Sequence, residues 1–415
     1  MMMLKETLIE NIKGDTKLKE EAKSVFENLG FPTTKNEEWK YTNILKWTKG
    51  DFYFPISASQ LDDVHQYVID ESFDLIVLEN GKLRVDLSKI TQEITVKPLK
   101  QALFSDSVAQ KHYGKYVDFS NDAMYALNTA MVDDGLFIHV ETRKVIEKPI
   151  QILNITTSNE NAFTNPRNLV VIEERAEVQF IESHYSGTDQ LVWNNVISEI
   201  VLEKAAHFDW IKIQNDKIED TALIDSTFIF QEANTVSNVF TFTLGGKLVR
   251  NNLNFNLDDE YIEANLSAAT LITDKQHADQ HTFIDHAYPN CVSNENYKGI
   301  YDGSSKGVFN GKVLVRVDAQ KTNAYQNNAN VILSETASVD TKPQLEIFAD
   351  DVKCSHGCTV GHQDDEALFY MRQRGLSRAQ AQGILNLAFT GEITDKLRNE
   401  TLKTYILNLI EEKLN

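Results

Sequence analysis

One ten-residue stretch of the sequence is dense in side chains that bind metals or carry redox chemistry. The segment at 353–362 reads KCSHGCTVGH and holds two of the three cysteines and two of the ten histidines of the 415-residue chain. In an extended strand, Cys354, His356 and Cys358 would all point to one face, because alternate residues share a face. Thiolate and imidazole ligands suit iron, zinc or copper. The spacing therefore admits a metal or cluster site at this strand as one of two interpretations.

The residues of this segment also leave a plainer interpretation open. Their spacing is not the C-x2-C of common zinc sites, and a buried free cysteine beside a hydrogen-bonded histidine would use the same residue types. Gly357 offers a point at which the strand can bend. His362 is predicted to lie in a surface loop, and Cys291, far from this segment, is predicted to be structural.

A second group of histidines stands in HADQHTFIDH at 277–286. On a strand, His277 and His281 share one side but lie about 13 Å apart, given the rise per residue. That separation is too large for a single metal ion. We therefore interpret the group as polar positions on a β-sheet surface.

The sequence lacks the motifs of ATP hydrolysis and of serine hydrolases. The pattern G-x4-G-K-[ST] is met only by fragments, GGK at 245–247 and GSSKG at 303–307, and no G-x-S-x-G elbow occurs. A formal charge of −20 disfavours nucleic acid and anionic lipid as partners. The absence of a long apolar run and of a signal-peptide core, together with few cysteines, predicts a cytoplasmic protein that does not enter a membrane.

The elements that would position these residues follow a helical, β, helical order. Apolar spacing predicts two short helices before Gly30, with Asp15 as the cap between them. Trp39 and Trp47 are expected to anchor the next stretch, and Asn80 with the following glycine predicts a hairpin.

Strand alternation dominates from about residue 150 to residue 348. Leu253, Phe255 and Leu257 alternate with asparagines, for example, so one face of that strand is buried. Sandwich, barrel and solenoid all fit this pattern, and no fixed-length repeat is evident. Helical spacing returns after Gly361, with Ser377 predicted to cap the helix that follows it.

Several longer stretches resemble one known family. They are NEEWKYTN at 36–43, ALNTAMVDDGLFIHV at 126–140, the run at 284–333, and the KCSHGCTVG segment with its flanks. With them, the chain resembles the SufD branch of the SufB/SufD family of the SUF iron–sulfur cluster assembly system over nearly its whole length. Cys354 and His356 match the SufD pattern, whereas SufB-like chains carry an EHEA-type segment there. Cys358 departs from the pattern, in which a small residue is usual.

The resemblance implies a mainly β fold, with a right-handed parallel β-helix core between N-terminal and C-terminal helical domains. We divide the chain accordingly into 1–125, 126–350 and 351–415.

The resemblance also implies a non-catalytic scaffold subunit that supports cluster assembly and iron entry. It would pair with SufB through the β-helix and bind the SufC ATPase, where ATP is hydrolysed, through the C-terminal helices. Phe369, Tyr370 and Arg374 are candidates for the SufC contact. His356 and Cys354 are candidates for holding iron or a nascent cluster at the SufB interface, with no tightly bound cofactor. A homodimer of the isolated chain through the β-helix is compatible with the resemblance.

Two alternatives belong to other classes of function. The chain could be a SufB-like primary scaffold that carries the nascent cluster itself, as the shared architecture and the extra thiol of Cys358 suggest. A polysaccharide-acting β-helix enzyme is suggested by fold alone, and fold does not imply function.

Overall fold

Strands carry 41% of the residues and helices 23%. The computed structural model describes residues 4–55, 61–216 and 220–414. The strands are β1 (Asp74–Glu79), β2 (Lys82–Leu83), β3 (Thr95–Pro98), β4 (Leu136–Val140), β5 (Ile150–Thr156), β6 (Ala162–Thr164), β7 (Arg167–Ile172), β8 (Glu177–Ser186), β9 (Val192–Leu202), β10 (His207–Gln214), β11 (Thr221–Gln231), β12 (Val236–Thr243), β13 (Leu248–Leu257), β14 (Glu263–Ile272), β15 (His277–His286), β16 (Val292–Tyr301), β17 (Lys306–Val315), β18 (Asn323–Ile332), β19 (Ser338–Ile347) and β20 (Lys353–His362). The α-helices are α1 (Leu4–Asn11), α2 (Lys17–Leu29), α3 (Leu45–Thr48), α4 (Leu99–Ser105), α5 (Ser107–His112), α6 (Ala123–Met131), α7 (Asp365–Gln373), α8 (Arg378–Thr394) and α9 (Glu400–Leu414).

The strands form two sheets that face each other along a coil. The first sheet has the order β2-β1-β5-β8-β10-β12-β14-β16-β18-β20, and the second has the order β19-β17-β15-β13-β11-β9-β7-β4-β3, with β6 beside β9. From β8 onward the chain alternates strictly between the sheets, and all neighbours pair in parallel. The fold is a parallel β-solenoid of about 8 turns with helices on either side, as the resemblance implies.

Each turn of the solenoid uses a nearly constant length of chain. In the first sheet, the partners along one row are Glu177, His207, Val236, Glu263, Val292, Asn323 and Lys353, at intervals of 27 to 31 residues. The turns vary in length by a few residues, and the inward side chains differ from coil to coil. This variation hides the repeat from inspection of the sequence.

Strand alternation sends every second residue into the space between the sheets. Large apolar side chains such as Phe180, Phe208 and Phe255 fill much of that space and are fully buried. The interior also holds an ionic group, in which the Lys212 ammonium lies 2.8 Å from the carboxylate of Asp225. The core of the molecule is thus the inside of the coil.

The N-terminal predictions are confirmed with one exception. The two short helices form, and Asn80 begins the turn between β1 and β2 with a φ of 55°. The cap of α2 is Thr16, whose hydroxyl accepts the backbone N–H of Lys19 at 3.3 Å. Asp15 was expected to be the cap, but it lies one position too early and instead pairs with the Lys19 ammonium at 3.0 Å.

The C-terminal helices run back along the outer face of the first sheet. Ile393, Ile406 and Ile410 are fully buried there against apolar residues of β8 to β16. Ser377 and Gln380 form the expected reciprocal cap at the start of α8. Within the described ranges, no helix is both long and apolar enough to span a bilayer.

The solenoid continues beyond residue 350, where our sequence-based division ended the core. Strand β20 pairs with β18 along its whole length and is the last strand of the first sheet. Helix α7 begins three residues after it, at Asp365. The segment with the cysteines and histidines is therefore part of the β-solenoid and not of the helical region.

Candidate functional site

The KCSHGCTVGH segment is one uninterrupted strand at the end of the solenoid. All ten residues of β20 pair in register with β18, including Gly357 beside Asn327. The glycine therefore introduces no bend. The prediction of a loop for His362 is wrong, because this residue is the last of the strand and its Nδ1 lies 3.1 Å from the carbonyl oxygen of Ile332.

The three soft ligands share one face of β20, as their spacing predicts. Cys354, His356 and Cys358 lie beside Ala324, Gln326 and Asn328 of β18, which are all buried inward residues.

They therefore continue the inward side of the coil onto its last strand, where no further turn of the described part of the chain covers them. Cys354 is half-buried and packs against the core, whereas His356 and Cys358 are exposed.

This arrangement presents ligands without completing a coordination sphere. Residues two apart on a strand are separated by roughly 6.6 Å along the chain, so neighbouring members of the set can share an ion or cluster only with further ligands. Burial raises the pKa of the Cys354 thiol above its ordinary value. Metal binding would have to displace that proton, so the thiol becomes a ligand only in exchange for a proton.

Cys358 has polar neighbours on the strands β18 and β19. Its sulfur lies 3.0 Å from the Thr341 hydroxyl of β19 and 4.0 Å from Oδ1 of Asn328. Cys291, in contrast, is buried in the turn before β16, and burial raises the pKa of its thiol to about 11. This observation fits the structural role that the sequence predicts for Cys291.

Two polar residues in the coils that precede His356 belong to the same inward row, and the sequence did not indicate them. Along the inward row of the first sheet, Glu295 lies beside Gln326, and Gln326 lies beside His356. Gln326 donates its amide N–H to Glu295 Oε1 at 3.0 Å, and the Thr282 hydroxyl donates to Oε2 at 2.6 Å. Burial raises the pKa of the Glu295 carboxyl to about 7. The only sequence signal for this row is the spacing of about thirty residues.

Both sheets end at this same end of the molecule with a strand that has one free side. Strands β19 and β20 are each ten residues long and stand last in their sheets. Exposed apolar side chains accompany them, namely Ile347, Phe348 and Val360. Long edge strands with apolar neighbours are templates for pairing with another chain.

The two edges differ because one of them contains a proline. Ser338 and Phe348 donate their backbone N–H groups to the carbonyl oxygens of Ser305 and Val315, just before and at the end of β17. The even-numbered residues of β19 therefore face that strand, and Pro343 faces outward. In β20, Lys353 donates to the carbonyl oxygen of Thr322, so the even-numbered residues face outward. Strand β20 thus offers a complete row of outward donors, and β19 does not.

The candidates for partner contact, on α7 and at its C-cap, are exposed, and simple helix packing does not account for them. Phe369 is 65% and Tyr370 60% accessible. The Arg374 guanidinium donates to the Tyr370 hydroxyl at 2.8 Å and lies 5.1 Å from its ring centre. Large exposed aromatic residues held in one orientation are typical of a binding surface.

The second histidine group is not on an open surface as predicted. The N-terminal segment around residues 36–43 covers it: His277 Nε2 lies 2.8 Å from the Thr42 hydroxyl, and burial lowers its pKa to about 4. His281 Nε2 lies 2.9 Å from Oδ1 of Asp279. Sequence alternation gave the correct face for His277 and His281 but could not show that another segment lies on it. His286, the third histidine of the group, was predicted on the same surface but is fully buried, with its Nε2 2.9 Å from the Ser293 hydroxyl.

One buried cluster in the described ranges has the composition of a metal site. Glu182, His184 and Asp225 bring ligand atoms within 4.8 Å of one another inside the coil. Lys212 lies between the two carboxylates, 2.8 Å from Asp225 and 3.4 Å from Glu182. The lysine already supplies the positive charge, so we assign this cluster to an internal ion pair network.

Fold and site together define a parallel β-solenoid protein that presents thiol and imidazole ligands at an uncovered end. The chain matches the family model "SUF system FeS cluster assembly, SufBD core domain" over residues 154–389 and "SufBD protein N-terminal region" over residues 10–152. It therefore belongs to the SufB/SufD family of iron–sulfur cluster assembly proteins.

Three relatives show how far the similarity extends. An iron–sulfur cluster assembly SufBD family protein of Synechocystis is 32% identical over 392 residues, covering 91% of this chain and 86% of the relative. The iron–sulfur cluster assembly protein SufD of Escherichia coli is 29% identical, covering 93% and 90%. The SufD protein of Bacillus subtilis is 24% identical, covering 94% and 91%.

Proposed function

We propose that this chain is a non-catalytic scaffold subunit that builds iron–sulfur clusters in the cytoplasm together with a SufB-type subunit and a SufC-type ATPase. The observation that carries the proposal is the end of the solenoid, where Cys354 and His356 stand on a strand whose outer edge is free. Family membership supports the role in cluster assembly.

The SufB-type partner is proposed to abut the end formed by β19 and β20. A solenoid normally needs a cap on its last turn, because inward residues there would otherwise meet water. The inward faces of both terminal strands are partly exposed in this chain. A second β-solenoid of the same cross-section would cover them and extend the sheets.

The same contact would complete the ligand set. His356 and Cys354 offer one nitrogen and one sulfur, fewer ligands than an iron or iron–sulfur centre requires. Ligands from the partner would supply the remainder, so the cluster is held only while the subunits are together. Iron and sulfide are in this scheme the cargo and not a resident cofactor.

The SufC-type ATPase is proposed to bind the exposed face of α7, with Phe369, Tyr370 and Arg374 in the contact. The sequence has no Walker A motif of its own. ATP binding in the partner would act on this chain through differential affinity for two arrangements of the subunits.

Cys358 favours a second candidate function, that of a primary scaffold which carries the cluster without a SufB-type partner. Its exposed thiol adds a third soft ligand to the same face. Anaerobic reconstitution of the isolated chain distinguishes the two, since a stable cluster absorbance is expected only for the primary scaffold.

Co-expression of the three subunits, with cluster content measured after anaerobic purification, tests the proposal. We expect the chain to co-purify with both companions. His356→Ala is expected to lower cluster content on the order of 10- to 100-fold, the range found when the surroundings of a metal ligand are altered, and Cys354→Ala is expected to lower it less because its thiol is half-buried and protonated.

Ser355→Ala is the matched control, since Ser355 is exposed on the opposite face of the same strand. Wild-type cluster content in both His356→Ala and Cys354→Ala, or a chain that purifies without either companion, would remove the proposal.

A further inference from the structure

The side-chain amide of Gln326 is buried, and only its nitrogen forms a hydrogen bond within the described residues. The residue is 2% exposed, and its Nε2 donates to the Glu295 carboxylate at 3.0 Å. Its Oε1 has no hydrogen-bond partner among the residues that the structure describes. A buried acceptor without a donor is destabilising, so such an atom calls for a partner.

The amide nitrogen of Gln326 is fixed in place from two sides. Besides the bond to Glu295, it occupies space that Gly311 leaves open: a Cβ on that glycine would come within 2.4 Å of Nε2. Glu295 is itself held by the Thr282 hydroxyl at 2.6 Å. With the nitrogen held, the oxygen on the same carbon is turned away from the carboxylate.

The residue beside Gln326 in the last strand is His356. Neighbouring strands lie about 4.8 Å apart, and residues opposite each other in a sheet project their side chains to the same face. His356 makes no hydrogen bond to Gln326 in the described structure, but its side chain is exposed, and a change of rotamer brings an imidazole N–H toward the glutamine oxygen.

From this arrangement we infer that Gln326 is the positioning residue for His356: its Oε1 accepts one imidazole N–H and leaves the other ring nitrogen as a lone-pair donor at the open end of the solenoid. Glu295 holds the amide in the orientation that this requires. The inference rests on the proposed function, in which that nitrogen binds iron.

The chemical reason is the need to fix the tautomer. A neutral imidazole has one N–H and one lone pair, and the hydrogen bond to one nitrogen decides which nitrogen is free for a metal. Histidines that bind metals usually donate their second N–H to a carboxylate or carbonyl oxygen. Gln326 would provide that oxygen from inside the coil, where the oxygen itself is shielded from water.

Imidazole nitrogen NMR of the full-length, ¹⁵N-labelled chain tests the inference directly. The His356 signals are identified by their loss in His356→Ala. We expect one tautomer of the neutral ring to predominate in the wild-type chain and the two to become mixed in Gln326→Met, which removes the acceptor at similar length.

Asn328→Leu is the matched control, because Asn328 is the next inward residue of β18 and lies beside Cys358 rather than His356. It should leave the His356 tautomer unchanged. If Gln326→Met does not fold, Gln326→Asn withdraws the oxygen by one methylene and retains the polarity. An unchanged tautomer in the folded Gln326 variant overturns the inference.

Cluster content of the co-expressed complex separates this inference from the proposed function. A roughly tenfold loss in Gln326→Met, approaching that of His356→Ala, supports both. A changed tautomer with normal cluster content in both variants upholds the inference and removes the ligand role of His356. Loss in His356→Ala without any effect of Gln326→Met on tautomer or content overturns the inference alone.

Discussion

At the residue scale, protonation of the Glu295 carboxyl group is coupled to the stability of the fold. Burial raises the pKa of its carboxyl to about 7 from the ordinary value of 4.5. The folded protein therefore binds this proton more tightly than the unfolded chain. The resulting stabilisation is fully present below pH 4.5 and is lost as the pH rises through about 7.

Glu295→Gln is expected to remove this pH dependence, because an amide resembles the protonated acid and cannot ionise. Relative to the wild type, the variant should gain free energy of unfolding above pH 7, by up to about 3 kcal/mol for a shift of this size. Urea denaturation at pH 5, 6, 7 and 8 measures the difference. The exposed Glu147 offers a control, and a difference for Glu295→Gln that is the same at all four values would contradict the prediction.

The residues of the site were predictable to different degrees for a physical reason. Cys354 and His356 are identified by side-chain chemistry and a spacing of two, both of which are local. Gln326 and Glu295 belong to the same row but stand one and two coils earlier in the chain. Nothing in the identity of a glutamine or glutamate marks it as inward-facing without the register of the coils.

At the element scale, the free edge of β20 is where the fold meets its proposed partner. Strand β19 already has a proline on its outward side, at position 343. Proline there removes a donor without disturbing the pairing inside the sheet, a common way to protect an edge. Strand β20 lacks this protection, so we expect the partner strand to pair with it.

The substitution Val360→Pro would place an outward-facing proline in β20, as Pro343 is placed in β19. Val360 is even-numbered and its N–H faces outward, so the pairing with β18 should survive, whereas a partner strand loses a hydrogen bond and meets the proline ring. We expect co-purification of the SufB-type subunit to fall at least about tenfold, the equivalent of 1.4 kcal/mol. Size-exclusion chromatography with known amounts of both subunits measures the loss.

Val360→Thr is the control, since it keeps the N–H and the β-branched shape. Full partner binding by the folded Val360→Pro variant would show that the contact does not use this edge.

Elements were predicted well where the signal is local and poorly where it depends on other segments. Capping residues such as Ser377 and the turn at Asn80 mark boundaries by their own backbone preferences. The covering of His277 by residues 36–43 depends on contacts more than 200 positions apart, which alternation along one strand cannot reveal.

At the scale of the whole molecule, Arg250 makes three contacts that connect the N-terminal segment and the solenoid. Arg250 of β13 stacks on the Trp39 ring at 3.9 Å, donates to the Glu38 carbonyl oxygen at 2.9 Å, and pairs with Asp279 at 2.6 Å. Burial alone would raise the pKa of Asp279, but His281 and Arg250 outweigh it and hold the pKa well below the usual range.

Arg250→Met is expected to destabilise the protein by about 3–5 kcal/mol, because it leaves the buried Asp279 carboxylate without its permanently charged partner. Urea denaturation gives the loss, and limited proteolysis should cut first within 36–48. Arg316→Met is the comparison: its pair with Asp285 is more exposed and should be worth at most about 1 kcal/mol. Equal losses in the two variants would argue against the special role of Arg250.

The two ends of the coil are finished in different ways. At the beginning, the two-residue strand β2 and the proline-containing β3 run antiparallel to their neighbours and close the sheets. The opposite end keeps a ten-residue edge strand in each sheet, and this is where we propose that a second solenoid pairs. If two such solenoids meet end to end, each uses its open edge strands in the contact, so the stack of strands would stop at a pair and would not extend into a filament.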